Sequence, residues 1–308
     1  MDESTKLPVA NEPPLITPPS SFSSTIFFGP DGLRSGWRLL CYLLLAATVA
    51  MTVNFTLHHI IHRKLPQIWD ESLGELAAVF VAFVPAFVMA RVEKRPFGVY
   101  GLPGRGAFGK NFWIGVLWGF AAVSALLLAI RGAGDFSITG LALHGARILK
   151  FGAFWAVFFL CVGFFEEFLI RGYTQFTLTQ GIGFWPAAVI LSLAFGALHL
   201  GNAGENKVGI LAVVMIALFF CLTLRRTGTL WFAVGFHASF DWGESYFYSV
   251  PDSGSLSPGH LLNSSFTGSR WITGGADGPE GSVFVLALIV LWCIFFARVY
   301  PSHSQPAR

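Results

Sequence analysis

The chain has 308 residues, of which 54% are hydrophobic and only 12% are charged, and its formal net charge is +3. Soluble domains carry about 25% charged residues, so this composition excludes an ordinary soluble globular protein. The small positive charge comes without a basic-aromatic stripe or a nucleic-acid-binding motif, which argues against a nucleic-acid partner.

The first 36 residues are rich in Pro and Ser, and this composition predicts a disordered cytoplasmic tail. Apolar runs follow, and most approach the roughly 20 residues that a helix needs to cross a bilayer. They lie near 37–58, 73–92, 111–131, 148–172, 184–200, 208–225, 229–249 and 281–299. Membrane barrels alternate apolar and polar residues, whereas these runs are solidly apolar. We therefore predict an all-α polytopic membrane protein with about eight transmembrane helices, forming one domain over 37–300 before a short tail at 301–308.

The distribution of Lys and Arg favours a cytoplasmic N-terminus, by the positive-inside rule. With that orientation the inside holds Arg91, Lys94, Arg95, Arg105, Lys110, Arg225, Arg226 and Arg298. The outside holds Arg63, Lys64, Arg131, Arg147, Lys150, Lys207 and Arg270. We expect both termini inside and the loop near 250–280 outside.

The cysteines fall within predicted spans, and none belongs to a Cys-x-x-Cys pair. Free, buried thiols that pack as small hydrophobes are expected, rather than disulfides or a thiolate metal site. These residues are Cys41, Cys161, Cys221 and Cys293.

Three charged residues interrupt the fourth apolar run, in the stretch FFEEFLIRGY at 164–173. Ionisable side chains at membrane depth are costly and usually face the bundle interior or a wet cavity, which makes them candidates for a functional site. The alternative is that these charged residues lie at the solvent-exposed end of the helix. The next residues remain compatible with a helix to about Thr179, which would place the charges well inside it.

The two glutamates of this stretch differ in their expected partners. Glu167 and Arg171 are four residues apart and share a helix face, so we predict a structural ion pair. Glu166 points about 100° away from that face and is left free for chemistry.

Further polar residues lie in later apolar runs. His199 is near the end of the fifth run, and His237 and Asp241 are four apart on one face of the seventh. A lone His in an apolar helix is most often a packed residue, but with Glu166 these groups form a constellation on three helices. Two His and two carboxylates are also a donor set that zinc accepts.

Other patterns carry less weight. His58 and His62 are four apart at a predicted membrane edge, where interfacial anchoring is the better reading than a metal pair. The Gly- and Ser-rich loop at 250–280 is either an outward lid or a simple connector. The chain has no His-Glu-x-x-His zinc motif and no Gly-x-Ser-x-Gly elbow.

Three short motifs occur in a familiar order. The segments EEFLIR, FGALH and HASFD fit the patterns EExxxR, FxxxH and HxxxN/D. In this respect the region from about 110 to 250 resembles the CPBP family of CAAX-protease and bacteriocin-processing membrane proteins, also called the Abi family. The resemblance implies an all-helical intramembrane endopeptidase whose site opens toward the cytoplasm. By motif, Glu166 would activate water, His199 would assist it, and His237 with Asp241 would stabilise the oxyanion.

Asp241 departs from the pattern of the prenyl endopeptidases, which have Asn at this position, and an ionised carboxylate cannot donate a hydrogen bond. The resemblance is compatible with a metal-free mechanism and with a metalloprotease. In the second case the candidate zinc ligands are Glu166, His199, His237 and Asp241.

The expected function is hydrolysis of a peptide bond in a membrane-associated protein or peptide, including a CAAX-like or prenylated one, at the cell membrane. Membrane lipid is the other expected partner. The alternatives are a non-catalytic membrane scaffold or bacteriocin-immunity protein of the same fold, and a transporter with a proton relay. No internal repeat is evident, which counts against the transporter.

Overall fold

The computed structural model describes residues 26–29, 32–60, 66–202 and 204–301. The first part of the predicted tail, the residues His62, Arg63 and Lys64, and the chain from 302 onward lie outside the described residues. The helices are α1 (Ser35–Ile60), α2 (Gln67–Val92), α3 (Lys110–Gly132), α4 (Ala146–Arg171), α5 (Tyr173–Ile182), α6 (Phe184–His199), α7 (Lys207–Thr227), α8 (Trp231–Trp242), α9 (Arg270–Thr273) and α10 (Val283–Val299).

The remaining regular structure is small. A π-helical turn, Gly243–Tyr248, extends α8, and 3-10 turns occur at Phe97–Tyr100 and Pro279–Gly281. Two antiparallel pairs join β1 (Phe28–Gly29) to β2 (Gly32–Leu33) and β3 (Phe136–Leu141) to β4 (Leu262–Phe266).

The all-α polytopic prediction is confirmed, because each predicted apolar run contains a helix. Within the described residues, five helical segments are long and apolar enough to cross a membrane. They are Ser35–His59, Ile68–Val92, Lys110–Gly132, Ala146–Ile182 and Lys207–Thr227. Helices α6 and α10 are apolar but shorter.

The helix that carries the glutamate pair is interrupted once. It was predicted to continue to about Thr179, but α4 ends at Arg171, and α5 carries the helical path on to Ile182. Between them Gly172 has ψ −116°, and a Cβ there would lie 2.3 Å from the Phe168 carbonyl oxygen. Glycine therefore allows a break that a larger residue would obstruct.

Helix α8 lies at the centre of the bundle, because glycines let its neighbours approach closely. A Cβ on Gly115 of α3 would lie 2.2 Å from the Phe232 carbonyl oxygen, and one on Gly119 would lie 2.1 Å from that of Phe236. Small residues permit such backbone contact between membrane helices. From Trp231 to Asp241 every residue except His237 is buried.

Aromatic and charged side chains pack at the end of the bundle that holds the loop at 93–109. Phe168 stacks on Phe83 and Phe97, with ring centroids 4.2 and 5.3 Å apart. Nearby, Glu93 accepts hydrogen bonds from Arg38 and from the hydroxyl of Tyr173.

All four cysteines are free thiols, as predicted. Cys221 is buried and Cys161 and Cys293 are partly buried, but Cys41 is exposed, so the expectation of burial is wrong for that residue. Cys41 lies on α1, where an apolar side chain can face lipid.

Candidate active site

Glu166 and Glu167 are adjacent on α4 but have different environments. The side chain of Glu167 is completely buried, and its Oε1 accepts hydrogen bonds from Arg171 Nη1 at 3.0 Å and from His237 Nδ1 at 2.9 Å. The side chain of Glu166 keeps 23% of its surface exposed, and its Oε2 lies 3.5 Å from His237 Nε2. The predicted pair of Glu167 with Arg171 is therefore present, and it extends to His237 through a contact that the sequence did not suggest.

His237 stands between three carboxylates. Its Nδ1 contacts Glu167, and its Nε2 lies 3.5 Å from Glu166 Oε2 and 3.4 Å from Asp241 Oδ2. The spacing of four residues on α8 brings Asp241 to this side, as predicted. Each ring nitrogen of His237 therefore has a carboxylate oxygen within 3.5 Å.

Aromatic side chains hold Arg171 in place from the other side. Its guanidinium carbon lies 4.8 Å from the centre of the Phe195 ring and 5.6 Å from that of Phe220. Cation–π contact of this kind stabilises a cation away from water. Phe220 also stacks on His237, with ring centres 5.9 Å apart. Phe195, the first residue of the FxxxH motif, thus packs against the arginine of the EExxxR motif.

His199 lies at the end of α6, one turn after Phe195. Its Nδ1 donates to the Phe195 carbonyl oxygen over 2.9 Å, which leaves Nε2 as an acceptor in the neutral ring. Within the described residues no hydrogen bond or ion pair joins His199 to Glu166 or His237. It instead shares with them the lining of one cavity.

That cavity has a volume of about 740 Å³ and collects every residue that the motifs predicted for chemistry: Glu166, His199, His237 and Asp241. Its walls are largely apolar, with Trp155, Phe158, Phe159, Phe236 and Phe240 among them. The cavity therefore combines a few polar groups with a largely apolar lining, as ligand sites commonly do.

Acidic residues that the sequence patterns did not indicate also line this cavity. Glu71 and Glu75 come from the first turns of α2, and Asp252 and Glu280 come from the loop after α8. The i,i+4 spacing of Glu71 and Glu75 at the start of an apolar run was a signal that could have identified them. Asp252 and Glu280 belong to no local pattern, because only the folded loop brings them to the cavity.

Burial is the main cause of the electrostatic shifts in this loop. It raises the pKa of Asp252, helped by the neighbouring carboxylate of Asp241. It also raises the pKa of Glu280, while the nearby His199 acts in the opposite direction.

The loop at 250–280 is neither a free lid nor a simple connector. Its strand β4 pairs with β3, placing Phe136 opposite Phe266, and the indole of Trp155 donates to the Pro258 carbonyl oxygen over 3.0 Å. The loop is thus attached to the bundle while it supplies residues to the cavity.

The predicted zinc ligands do not fit a single metal in the described structure. His237 Nε2 lies 3.5 Å from Glu166 Oε2 and 3.4 Å from Asp241 Oδ2, but among the described residues no three of the four predicted ligands have ligand atoms that all lie within 4.8 Å of one another. Among the described residues, one group of three has ligand atoms within 4.8 Å of one another, and it consists of Asp241, Asp252 and Glu280. It includes one of the four predicted ligands and no histidine.

The side on which the cavity opens limits the topology. Its lining comes from the start of α2, the end of α6, the start of α10 and the loop 249–282, which meet at one end of an antiparallel bundle. The loop at 93–109 lies at the opposite end of the bundle. We predicted a cytoplasmic N-terminus, and the family resemblance implies a site that opens toward the cytoplasm; with the N-terminus inside, the end of the bundle that lines the cavity would instead lie nearer the outer face.

Comparison with protein families supports the resemblance. The model of the family described as type II CAAX prenyl endopeptidase Rce1-like matches residues 148–243. No curated protein matches the chain. The family match confirms the predicted relationship to the CPBP and CAAX proteases, and the matched region contains all three motifs.

At the level of the family, the match supports a CAAX-type intramembrane protease that acts on membrane-associated proteins. An integral, multi-pass membrane protein agrees with both the family and the candidate spans. The expectation of a metalloprotease gains no support.

Proposed function

We propose that this protein is an intramembrane endopeptidase in which Glu166 activates the water that hydrolyses a peptide bond. The substrate is a membrane-associated protein or peptide, including CAAX-like or prenylated ones. The observation that carries the proposal is the contrast between the two adjacent glutamates. Glu166 is open to the cavity beside His237, whereas Glu167 is buried in a hydrogen-bonded pair with Arg171.

The general base must reach water, and this requirement favours Glu166. Its carboxylate takes a proton from a water molecule as the water oxygen bonds to the carbonyl carbon of the substrate. The proton is then returned to the leaving amine nitrogen as the carbon–nitrogen bond breaks. Glu167 has no exposed surface and its Oε1 already accepts two hydrogen bonds, so it cannot act as the general base.

The oxyanion that forms in this step needs a donor, and His237 is the best-placed one. Because Glu167 holds Nδ1, the Nε2–H group faces the side of Glu166 and Asp241, where the reacting carbonyl would lie. Preorganised donors of this kind are worth about 3–4 kcal/mol in related acyl-transfer chemistry. His199, with Nε2 as an acceptor, orients the attacking water from the far side of the cavity.

The apolar walls of the cavity suit a substrate that carries an apolar group. Aromatic rings from α4 and α8 line the cavity, together with residues of the loop 249–282. A peptide that carries a lipid or ends a transmembrane segment can bury apolar area there.

The transporter alternative is less compatible with the geometry. A proton relay across the membrane needs a path to both sides, while aromatic rings and the Arg38–Glu93 pair are packed between the cavity and the end that holds the loop at 93–109. The scaffold or immunity alternative makes no use of an exposed glutamate beside a histidine.

The decisive experiment is cleavage of fluorogenic peptides by purified protein in detergent, with prenylated and unprenylated CAAX-like sequences compared. Glu166→Gln should abolish cleavage while the protein still accumulates and unfolds at the wild-type temperature. Asp70→Asn, an exposed acid at the start of α2, is the control and should cleave normally. Normal cleavage by Glu166→Gln would contradict the assignment, and no cleavage of any peptide or membrane protein by wild type would favour the scaffold alternative.

A further inference from the structure

Three carboxylates from distant parts of the chain meet beside the cavity. Asp241 lies near the end of α8, Asp252 follows the π-helical turn, and Glu280 lies in the 3-10 turn before α10. One oxygen from each lies within 4.8 Å of the other two. Two oxygens that bind the same Ca²⁺ at about 2.4 Å each can be at most about 4.8 Å apart, so the separation suits a shared cation.

A fourth acid points to the same conclusion independently. Glu244 is completely buried in the π-helical turn, and neither of its carboxylate oxygens has a hydrogen-bond partner in the described structure. The carboxylates whose charges act on it are those of Glu280, Asp252, Asp241 and Asp277. A buried carboxylate without a partner is strongly unfavourable unless it is neutralised. π-helical turns are also frequent at functional sites.

Positive side chains do not balance these acids. Among the described residues, no Lys or Arg forms an ion pair with Asp241, Glu244, Asp252 or Glu280, and the basic side chain beside Asp241 is His237, at 3.4 Å. Hydrogen bonds orient part of the cluster. Ser245 Oγ donates to Asp252 Oδ2 over 3.0 Å, and the Ser253 hydroxyl donates to Glu280 Oε2 over 3.3 Å.

We propose that Asp241, Asp252 and Glu280, with Glu244 next to them, bind one hard divalent cation of the Ca²⁺ type. All donors are oxygens, which Ca²⁺, Mg²⁺ and Mn²⁺ prefer, whereas zinc sites use His or Cys. The cation neutralises the acids and ties the loop 249–282 to α8. It also fixes Asp241 next to His237 and is a positioning element. The cation site depends on the cluster alone, so a failure of the peptidase assignment would leave it unaffected.

The test uses the full-length protein in detergent, treated with EDTA and then freed of it. Isothermal titration with Ca²⁺ should show one site per chain, and binding should release protons into the buffer, because the carboxyls deprotonate as they coordinate. Ca²⁺ should also raise the unfolding temperature. Mg²⁺, Mn²⁺ and Zn²⁺ are titrated in parallel, and tight binding of Zn²⁺ alone would overturn the proposed class of ion.

Variants then locate the site. Asp252→Asn and Glu280→Gln should each weaken Ca²⁺ binding about 10–100-fold, while Asp70→Asn should bind like wild type. If the variants fail to fold, the proton release and thermal shift of the wild type still decide the matter. Absence of Ca²⁺ binding to wild type would overturn the proposal and would mean that protons neutralise the cluster. Unchanged Ca²⁺ binding by folded Asp252→Asn and Glu280→Gln would also overturn the proposal.

Discussion

Glu167 accepts a 2.9 Å hydrogen bond from His237 Nδ1 through the same oxygen that binds Arg171. A residue predicted only to neutralise an arginine therefore also positions the imidazole that faces the cavity. The contact joins α4 to α8 across the centre of the bundle, where both helices are held by close packing.

The two roles of Glu167 can be separated by mutation. Glu167→Ala should lose about 3–5 kcal/mol of stability, because it leaves the buried charge of Arg171 without a partner. Adding Arg171→Met removes the unpaired charge and should restore much of the stability but not the cleavage rate, since His237 still lacks its acceptor. Unfolding in detergent and peptide cleavage measure the two effects. Recovery of both stability and cleavage rate in the double variant would show that Glu167 has only a structural role.

Asp241→Asn tests whether a carboxylate is needed beside His237. Asn carries no charge and is a weaker acceptor and ligand, so cleavage should fall about 10–100-fold. The rate is measured with and without a chelator, and Asp70→Asn is the matched control. If Asp241 were instead a protonated donor to the oxyanion, Asn would keep or raise activity. Full activity that is insensitive to the chelator would therefore rule out a role for Asp241 as a ligand or as a carboxylate that positions His237.

Cysteine labelling in intact cells decides the orientation. In a background without native cysteines, Arg105→Cys should be protected from an impermeant thiol reagent added outside, and Leu256→Cys should react. Both positions are exposed in the structure, and detergent-solubilised protein should label at both. This pattern follows from the Lys and Arg bias and would place the cavity on the outer side. The reverse pattern would show a cytoplasmic opening and an outward N-terminus.

Gly119→Ala should destabilise the bundle by about 1–3 kcal/mol, because the added methyl would overlap the Phe236 carbonyl oxygen and push α3 from α8. Gly132→Ala, at the end of the same helix, is the control, since a Cβ there has nothing within 4 Å. The control should be neutral or slightly stabilising, because Ala favours helices over Gly. Equal unfolding temperatures for the two variants would contradict the close contact.

Asp277 predicts a pH dependence of stability. Burial, and then the carboxylates of Glu280 and Glu205, raise the pKa of Asp277 from 3.8 to about 8. The folded protein thus holds a proton that the unfolded chain releases near pH 4, so this group makes stability fall as pH rises from about 4 to about 8.

Asp277→Asn resembles the protonated acid and should remove this contribution. Its unfolding temperature should be close to that of wild type at pH 5 and higher at pH 9. Unfolding is measured across this range, with the exposed Asp70→Asn as a control that should follow wild type. Parallel curves for wild type and Asp277→Asn would show that Asp277 does not titrate as described.

The sequence by itself determined the membrane fold and the residues with motif spacing. Apolar runs of helical length have few alternatives in lipid, where every backbone polar group must be satisfied within the helix. Residues four apart on a helix share a face whatever the tertiary structure, so the Glu167–Arg171 and His237–Asp241 relationships could be foreseen.

Only the tertiary structure decided which of these groups meet and from which side they are reached. The contact of His237 with Glu167 depends on how closely α4 and α8 pack. Gly163 of α4, where a Cβ would lie 3.1 Å from the Val234 carbonyl oxygen of α8, belongs to none of the three motifs. Asp252 and Glu280 reach Asp241 through a long loop whose path is set by β4 and by its contacts with the bundle. Such contacts join residues far apart in the chain, and hydrophobic periodicity specifies the face of a helix but not its neighbour.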